Sequence, residues 1–279
     1  MLNKNKNMNL IKKKIIFPPK INHKDLISFF LNLKLKEYVK KSRAPNRNIN
    51  ILKYNDPYKP ELLDLYRLYQ FVLLNNRTTI LEFGCGYSSL IFSLALKKNK
   101  IRFNNIIKNY RRTNPFELFI LDNEKKYLNL TRSNINKHNK KFKISNPAKV
   151  NYFFSDLEMR ETNNKYVTLF KKFPLVNPDF IYLDGPDQFK VKKKINNFHT
   201  GHNDLMPMAA DIIKIENYLI PGTIIVTDGR GANAELMFNN FQRKWLYYYD
   251  KDFDQHIFYL NSNSFGKIND NLLKFYKKR

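Results

Sequence analysis

The residues best placed to do chemistry are acids and glycines that follow short apolar runs. Glu82-Phe83-Gly84-Cys85-Gly86-Tyr87-Ser88-Ser89 sets an acid at the end of one run and two glycines in the turn behind it. Glycine lets a backbone bend sharply and approach a ligand closely, so such a turn can cradle a bound group; it can also be a tight turn and nothing more. Asp122 closes a second run, and Ser155 and Asp156 follow a third. Pro178-Asp179-Phe180-Ile181-Tyr182-Leu183-Asp184-Gly185-Pro186-Asp187 and Val226-Thr227-Asp228-Gly229-Arg230 each end a run in an acid within a turn. Carboxylates paired as Asp184 and Asp228 could share a divalent cation, with Asn233 as a third oxygen ligand and Asp187 behind it; they could also cap their own turns. His199 and His202, in a lysine-rich loop between Asp187 and Asp211, offer an imidazole as general base or simply stand in solvent. Arg230 suits a paired grip on a carboxylate or phosphate, or a bond to a neighbouring acid. The single cysteine, Cys85, has no histidine close by in sequence and reads as a small loop residue.

These groups need a frame, and the hydrophobic pattern supplies one. Strands are predicted at Thr78–Phe83, Glu117–Leu121, Val150–Phe154, Phe180–Leu183 and Thr223–Thr227, with helices between them at Ser88–Lys97, Glu124–Asn136, Leu205–Leu219 and Ala234–Phe241. Alternation of this kind implies a parallel sheet covered on both faces. Lys244–Tyr249 and Gln255–Leu260 read as an antiparallel hairpin at one edge. The fold class expected is α/β, a doubly wound, mostly parallel seven-stranded sheet with an antiparallel C-terminal hairpin and an N-terminal helical extension. Asn22 suits the cap of a helix bearing Leu26, Ile27, Phe29, Phe30 and Leu33, and Pro60 the first turn of another that runs to Asn75-Asn76. Residues 1–20 read as a loose arm and Lys40 to about Asn50 as a basic linker. The divisions expected are 1–55 for arm and helix, 56–262 for the sheet domain and 263–279 for a C-terminal tail.

Ligands of doubly wound sheets bind beyond the carboxyl ends of the strands. A dinucleotide fingerprint would put a third glycine where Ser89 stands, which disfavours NAD. An acid two residues before the first glycine resembles instead the cofactor motif of class I S-adenosylmethionine-dependent methyltransferases, and the resemblance runs from about Pro60 to Leu260. It implies that Glu82, Gly84, Gly86 and Ser88 belong to the cofactor loop, that Asp122 accepts from the ribose hydroxyls and that Asp156 lies near adenine. Leu219-Ile220-Pro221-Gly222-Thr223 resembles the family's turn into its fifth strand. The spacing departs from the pattern, because Asp122 lies 40 positions beyond Glu82, about twice the ~20 of a compact unit. Lys98–Asn114 therefore reads as an insertion, and Glu124 competes with Asp122 as the ribose ligand. Asp184 and Asp228 further resemble the paired acids of metal-dependent O-methyltransferases, which implies that they converge near the transferred methyl group, with Asn233 a candidate third ligand for Mg²⁺; if they cap their turns instead, His202 or His199 is the candidate base. The implied activity is methyl transfer, at oxygen, to a small-molecule or glycan-like acceptor.

Composition sets the remaining expectations. The chain has 279 residues, 50 Lys+Arg against 24 Asp+Glu, and a net charge of +26. Such charge could serve RNA, leaving an RNA methyltransferase or a non-catalytic basic binding module as alternatives. Yet the lysines are scattered and the uncharged asparagine is equally abundant, as AT-rich codons would produce, so nucleic acid is not the favoured partner. One cysteine and no apolar run near the ~20 residues of a membrane span point to a cytoplasmic protein with no membrane partner.

Overall fold

The computed structural model describes residues 4–42 and 59–278. The N-terminal extension forms α1 (Lys4–Lys12), α2 (His23–Asn32) and α3 (Lys36–Lys41), and α4 (Leu62–Leu74) leads into the sheet. Then follow β1 (Thr79–Phe83), α5 (Tyr87–Ile107), β2 (Glu117–Asp122), α6 (Lys125–Lys141) and β3 (Lys149–Phe154). A small-sheet hairpin of β4 (Leu157–Thr162) and β5 (Lys165–Phe170) precedes β6 (Phe180–Leu183), β7 (Val191–Lys193) and α7 (Asp211–Ile215). The chain closes with β8 (Ile224–Asp228), α8 (Gly231–Asn240), β9 (Trp245–Asp250), β10 (Gln255–Leu260) and α9 (Lys267–Tyr276).

The main sheet has seven strands in the order β3-β2-β1-β6-β8-β10-β9, parallel except where β10 pairs antiparallel with β8 and β9. The expected α/β sheet with its reversed hairpin is therefore present. Its central strands β1 and β6 are buried along their whole length, as near-continuous apolar runs demand. One face packs on α4 and α5 through Phe71, Phe92, Phe180 and Tyr182; the other packs on α7 and α8 through Phe83, Leu183, Ile212 and Met237. Strand order reverses between β1 and β6, and ligands of such sheets bind beyond that point, here past Gly84 and Asp184.

Several expectations are corrected. Within the expected loose arm, the described residues 4–20 are packed: Ile11 and Ile15 are buried, Asn75 bonds Ile16 in both directions, and Phe17 packs edge-on against Phe71 and Tyr248. Most of the predicted linker, residues 43–50, lies outside the described residues. The presumed insertion at Lys98–Asn114 is largely a continuation of α5, held because buried Asn99 donates to the Val72 and Arg77 carbonyls and Phe103 packs on Phe275. The stretch after residue 262 is not a bare tail, since Leu272, Phe275 and Tyr276 of α9 are buried. The predicted Leu205–Leu219 helix begins only at Asp211, because Pro207 disfavours a helix before it and Ala209 bridges to Thr168 of β5. The small sheet β5-β4-β7 was not foreseen.

Candidate functional site

The first turn of α5 is tied to the end of β1 by a buried carboxyl group. Glu82 is 0% exposed, and its carboxylate accepts the Ser88 hydroxyl at 2.5 Å and the Ser89 hydroxyl at 2.7 Å. Burial pushes its pKa up to about 8, with the two hydroxyls opposing the shift. Glu82 and Ser88 thus satisfy one another and set the shape of the loop.

The two glycines differ. Gly84 has φ +85, and a Cβ there would stand 2.8 Å from the Gly185 nitrogen; one on Gly185 would stand 2.5 Å from Gly84 N and Cα. The turns after β1 and β6 therefore touch backbone to backbone, which requires glycine at 84 and 185. Gly86 is the opposite case, because a Cβ on it would meet nothing within 4 Å. The open space of the loop lies there. Above it, the Tyr38 hydroxyl of α3 donates to the Tyr87 carbonyl at 3.3 Å and the two rings meet edge-on at 4.9 Å, so the N-terminal extension flanks the loop.

The neighbouring turns are tied to this one. Asn123 donates to the Asp187 carbonyl at 2.9 Å and accepts the Asp187 N–H at 3.0 Å, joining the ends of β2 and β6. Arg230 Nη2 donates to the Pro186 carbonyl at 3.0 Å, joining the ends of β6 and β8. Asp122 Oδ1 accepts the Glu124 N–H at 2.7 Å, while burial pushes the Asp122 carboxyl up to about 6. The Cys85 thiol bonds to Asp122 and is raised by burial, so it stays protonated and inert as a nucleophile. Glu124 points elsewhere, to Lys190 Nζ at 3.3 Å.

Asp184 follows β6 with its side chain exposed on one side, and desolvation by the protein around the rest of it pushes it up to about 6 against the pull of Arg230. Asp228 is raised well above the usual carboxylate range by burial and by Asp64 and Asp184, and it accepts the Tyr182 hydroxyl at 3.4 Å. The two strand-end acids therefore do influence one another. The expected third cation ligand does not join them: Asn233 is 0% exposed, donates to the Ala209 carbonyl at 2.7 Å and accepts the Ala209 N–H at 3.2 Å. Its amide staples α8 to the strand-like segment beside β5. Among the described residues no group of three His, Cys, Asp or Glu could hold a metal ion, so the predicted Mg²⁺ site does not fit this donor set. His202 is also displaced from its expected role, since its side chain is 65% exposed and its nearest charged partner is Asp204 at 4.0 Å. Asp156, half-buried after β3, shows only backbone bonds, to the Ser155 hydroxyl and the Lys171 N–H.

Asp64, Arg67, Asn123 and Gln255 were missed by the sequence reading. Asp64 and Arg67 sit within a helix recognised by its apolar face, and Asn123 meets Asp187 across 64 positions. One consequence concerns pH. Glu82, with its folded pKa near 8, binds its proton more tightly folded than unfolded, so the stability it contributes is present at acid pH and lost as pH rises toward 8. The melting temperature of the free protein should fall between pH 6 and about 8.5, and Glu82→Gln should flatten that slope. An unchanged slope in the variant would assign the titration to another group.

The chain matches no protein-family model and no curated protein sequence. Among solved structures it is similar to an O-methyltransferase from Bacillus cereus in complex with SAH, at 14% identity over 90% of this chain and 95% of that one, with a TM-score of 0.37. It is also similar to the O-methyltransferase TomG from Streptomyces achromogenes in complex with SAM, at 9% identity over 94% of this chain and 100% of that one, with a TM-score of 0.36. At these values the likeness adds nothing to what the strand order and the site geometry establish for themselves. Among the described residues, no helix is long and apolar enough to cross a membrane.

Proposed function

We propose that this chain binds S-adenosylmethionine over the turns after β1 and β2 and transfers its methyl group to a hydroxyl of a small-molecule or glycan-like acceptor. The observation that carries the reading is the convergence of acids at the carboxyl edge of a β3-β2-β1-β6-β8-β10-β9 sheet, in a chain whose net charge is +26. Asp122 and Asp184, mostly ionised at neutral pH, make a local field that favours a cation such as a sulfonium and disfavours a pyrophosphate. The open space at Gly86 fits a cofactor lying against the loop, and Asp122 fits a diol, because its carboxylate retains acceptor capacity beyond the Glu124 N–H.

The cofactor supplies an electrophilic methyl group; the protein supplies position and a proton acceptor. Asp184, ionised at neutral pH and more basic than an ordinary carboxylate, is placed to take the acceptor's hydroxyl proton as the oxygen attacks. Arg230 ties its turn to that of Asp228 and keeps Asp184 charged. No step runs through a cation, since Asn233 is committed to Ala209.

The reading is tested by Asp122→Ala. Loss of ribose hydrogen bonds to a charged acceptor should weaken S-adenosylmethionine binding by about 1.5–3 kcal/mol, roughly 10- to 150-fold. Glu124→Ala, which frees only Lys190, should bind normally. The reverse pattern in a titration would move the cofactor off Asp122.

A further inference from the structure

Asn75 and Asn76, at the end of α4, hold two distant parts of the chain side by side. Asn75 Oδ1 accepts the Ile16 N–H at 2.8 Å and its Nδ2 donates to the Ile16 carbonyl at 2.9 Å, which grips the N-terminal extension. Asn76, turned to φ 49, donates to the Phe275 carbonyl at 3.0 Å and the Lys278 carbonyl at 2.7 Å at the close of α9. Between the two grips lies a cavity of about 310 Å³, lined by Ile16, Leu73, Leu74, Asn76, Arg102 and Lys278. It is open to solvent, because Arg102 and Lys278 are exposed and Ile16, Leu73 and Leu74 are only half-buried. Its α5 wall is locked one turn before Arg102, where buried Asn99 donates to the Val72 and Arg77 carbonyls. The cavity sits near the amino end of β1, the opposite end from Gly86.

The lining has two chemical halves. Ile16, Leu73 and Leu74 make an aliphatic floor left in contact with water, and burying it under an apolar group is favourable. Both charged groups of the lining are cations, and no acid lines the cavity. A phosphate polymer would use the cations and leave the floor bare, while a neutral apolar molecule would cover the floor without using the charge. A ligand that meets both halves has an aliphatic tail and an anionic head. The volume is at the small end of the ~300–1,000 Å³ typical of small-molecule sites, which suits a single chain better than a broad ring system. We propose that this cavity binds a free fatty acid, with its alkyl chain on Ile16, Leu73 and Leu74 and its carboxylate between Arg102 and Lys278. Arg102 offers paired donors to the two oxygens and Lys278 a mobile point charge. The site is separate from the turns assigned to the cofactor and stands or falls without them.

The test is calorimetric titration of the full chain with octanoate, octan-1-ol and acetate at neutral pH. Octanoate should bind one-to-one, and the other two, each lacking one half of the ligand, at least tenfold more weakly. The double variant Arg102→Gln/Lys278→Gln changes only exposed side chains. It should bring octanoate down to the affinity of octan-1-ol, with octan-1-ol affinity and the melting curve unchanged. Leu74→Trp fills the cavity and should abolish octanoate binding; if that variant fails to fold, the double variant still decides. No binding of octanoate to the wild type overturns the proposal, as does equal affinity for octanoate and octan-1-ol. Octanoate affinity equal to wild type in the double variant, or retained in a folded Leu74→Trp, places the ligand elsewhere and also overturns it. Sedimentation velocity supplies the remaining arm: a wild-type dimer that Leu74→Trp converts to monomer would mean that a second copy covers the floor, and the fatty-acid site would be withdrawn.

Discussion

Gly86→Val is expected to abolish S-adenosylmethionine binding while leaving the melting temperature within a few degrees of wild type. Gly86 has φ 170, an extended backbone open to any residue, and a Cβ there meets no protein atom within 4 Å. The protein therefore has no reason to reject the isopropyl group, whereas a cofactor lying on the loop has nowhere else to go. Steric exclusion of this kind should cost at least roughly a hundredfold in affinity, about 2.8 kcal/mol. Gly84→Val provides the contrast. With φ +85 and the Gly185 nitrogen 2.8 Å from the added Cβ, it should lower stability along with binding, because the damage lies between two turns of the protein itself. Calorimetric titration and thermal melts of both variants separate the cases. Normal cofactor affinity in Gly86→Val would remove the loop from the site.

Asp179→Ala should be the most destabilising single change at the opposite edge of the sheet. Asp179 is 0% exposed and accepts the Thr78 and Thr79 N–H groups at 3.0 Å, the Thr78 hydroxyl at 2.6 Å and the Tyr276 hydroxyl at 3.0 Å. Arg112 approaches it at 3.6 Å, and buried Arg77 lies nearby, donating to the Gly222 carbonyl at 2.7 Å with its guanidinium over the Tyr276 ring. Removing the carboxylate strands these donors and leaves buried guanidinium charge uncompensated, at a cost of about 3–5 kcal/mol. The melting temperature should drop on the order of 10 °C, with cofactor affinity unchanged below it, since the network joins the amino ends of β1 and β6 to α9. A loss under about 1 kcal/mol would show that solvent or rearrangement replaces the network.

The sheet was legible because its strands are short apolar runs bounded by turns, and Phe180–Leu183 and Gln255–Leu260 have the bounds that the sequence predicts. Alternation could also have revealed β4 and β5, where Leu157 and Met159 are buried beside outward Glu158 and Arg160, and where Asn163-Asn164 turn with φ of 51 and 55. Helix ends set by local chemistry were equally readable, as at Asn22, whose side chain accepts the Asp25 N–H. The site was legible only as a set of acids at strand ends. What each does depends on partners far away in the chain, and no spacing rule reports those. Asn233 has the chemistry of a ligand but is spent on Ala209, 24 positions away, while Gln255 attracted no notice inside an apolar strand and turns out to hold a free donor. His202 illustrates the same limit in reverse, an imidazole with suitable chemistry left at the surface, where its ring accepts the Asp204 N–H.

We propose a sulfonium cofactor beyond the carboxyl ends of β1, β2, β6 and β8. Calorimetric titration of the intact protein with S-adenosylmethionine and, separately, NAD tests it most directly, near neutral pH where Asp122 and Asp184 are mostly ionised. The account predicts saturable one-to-one binding of S-adenosylmethionine and no heat from NAD. Binding of NAD, or a folded protein that takes up neither, would contradict it.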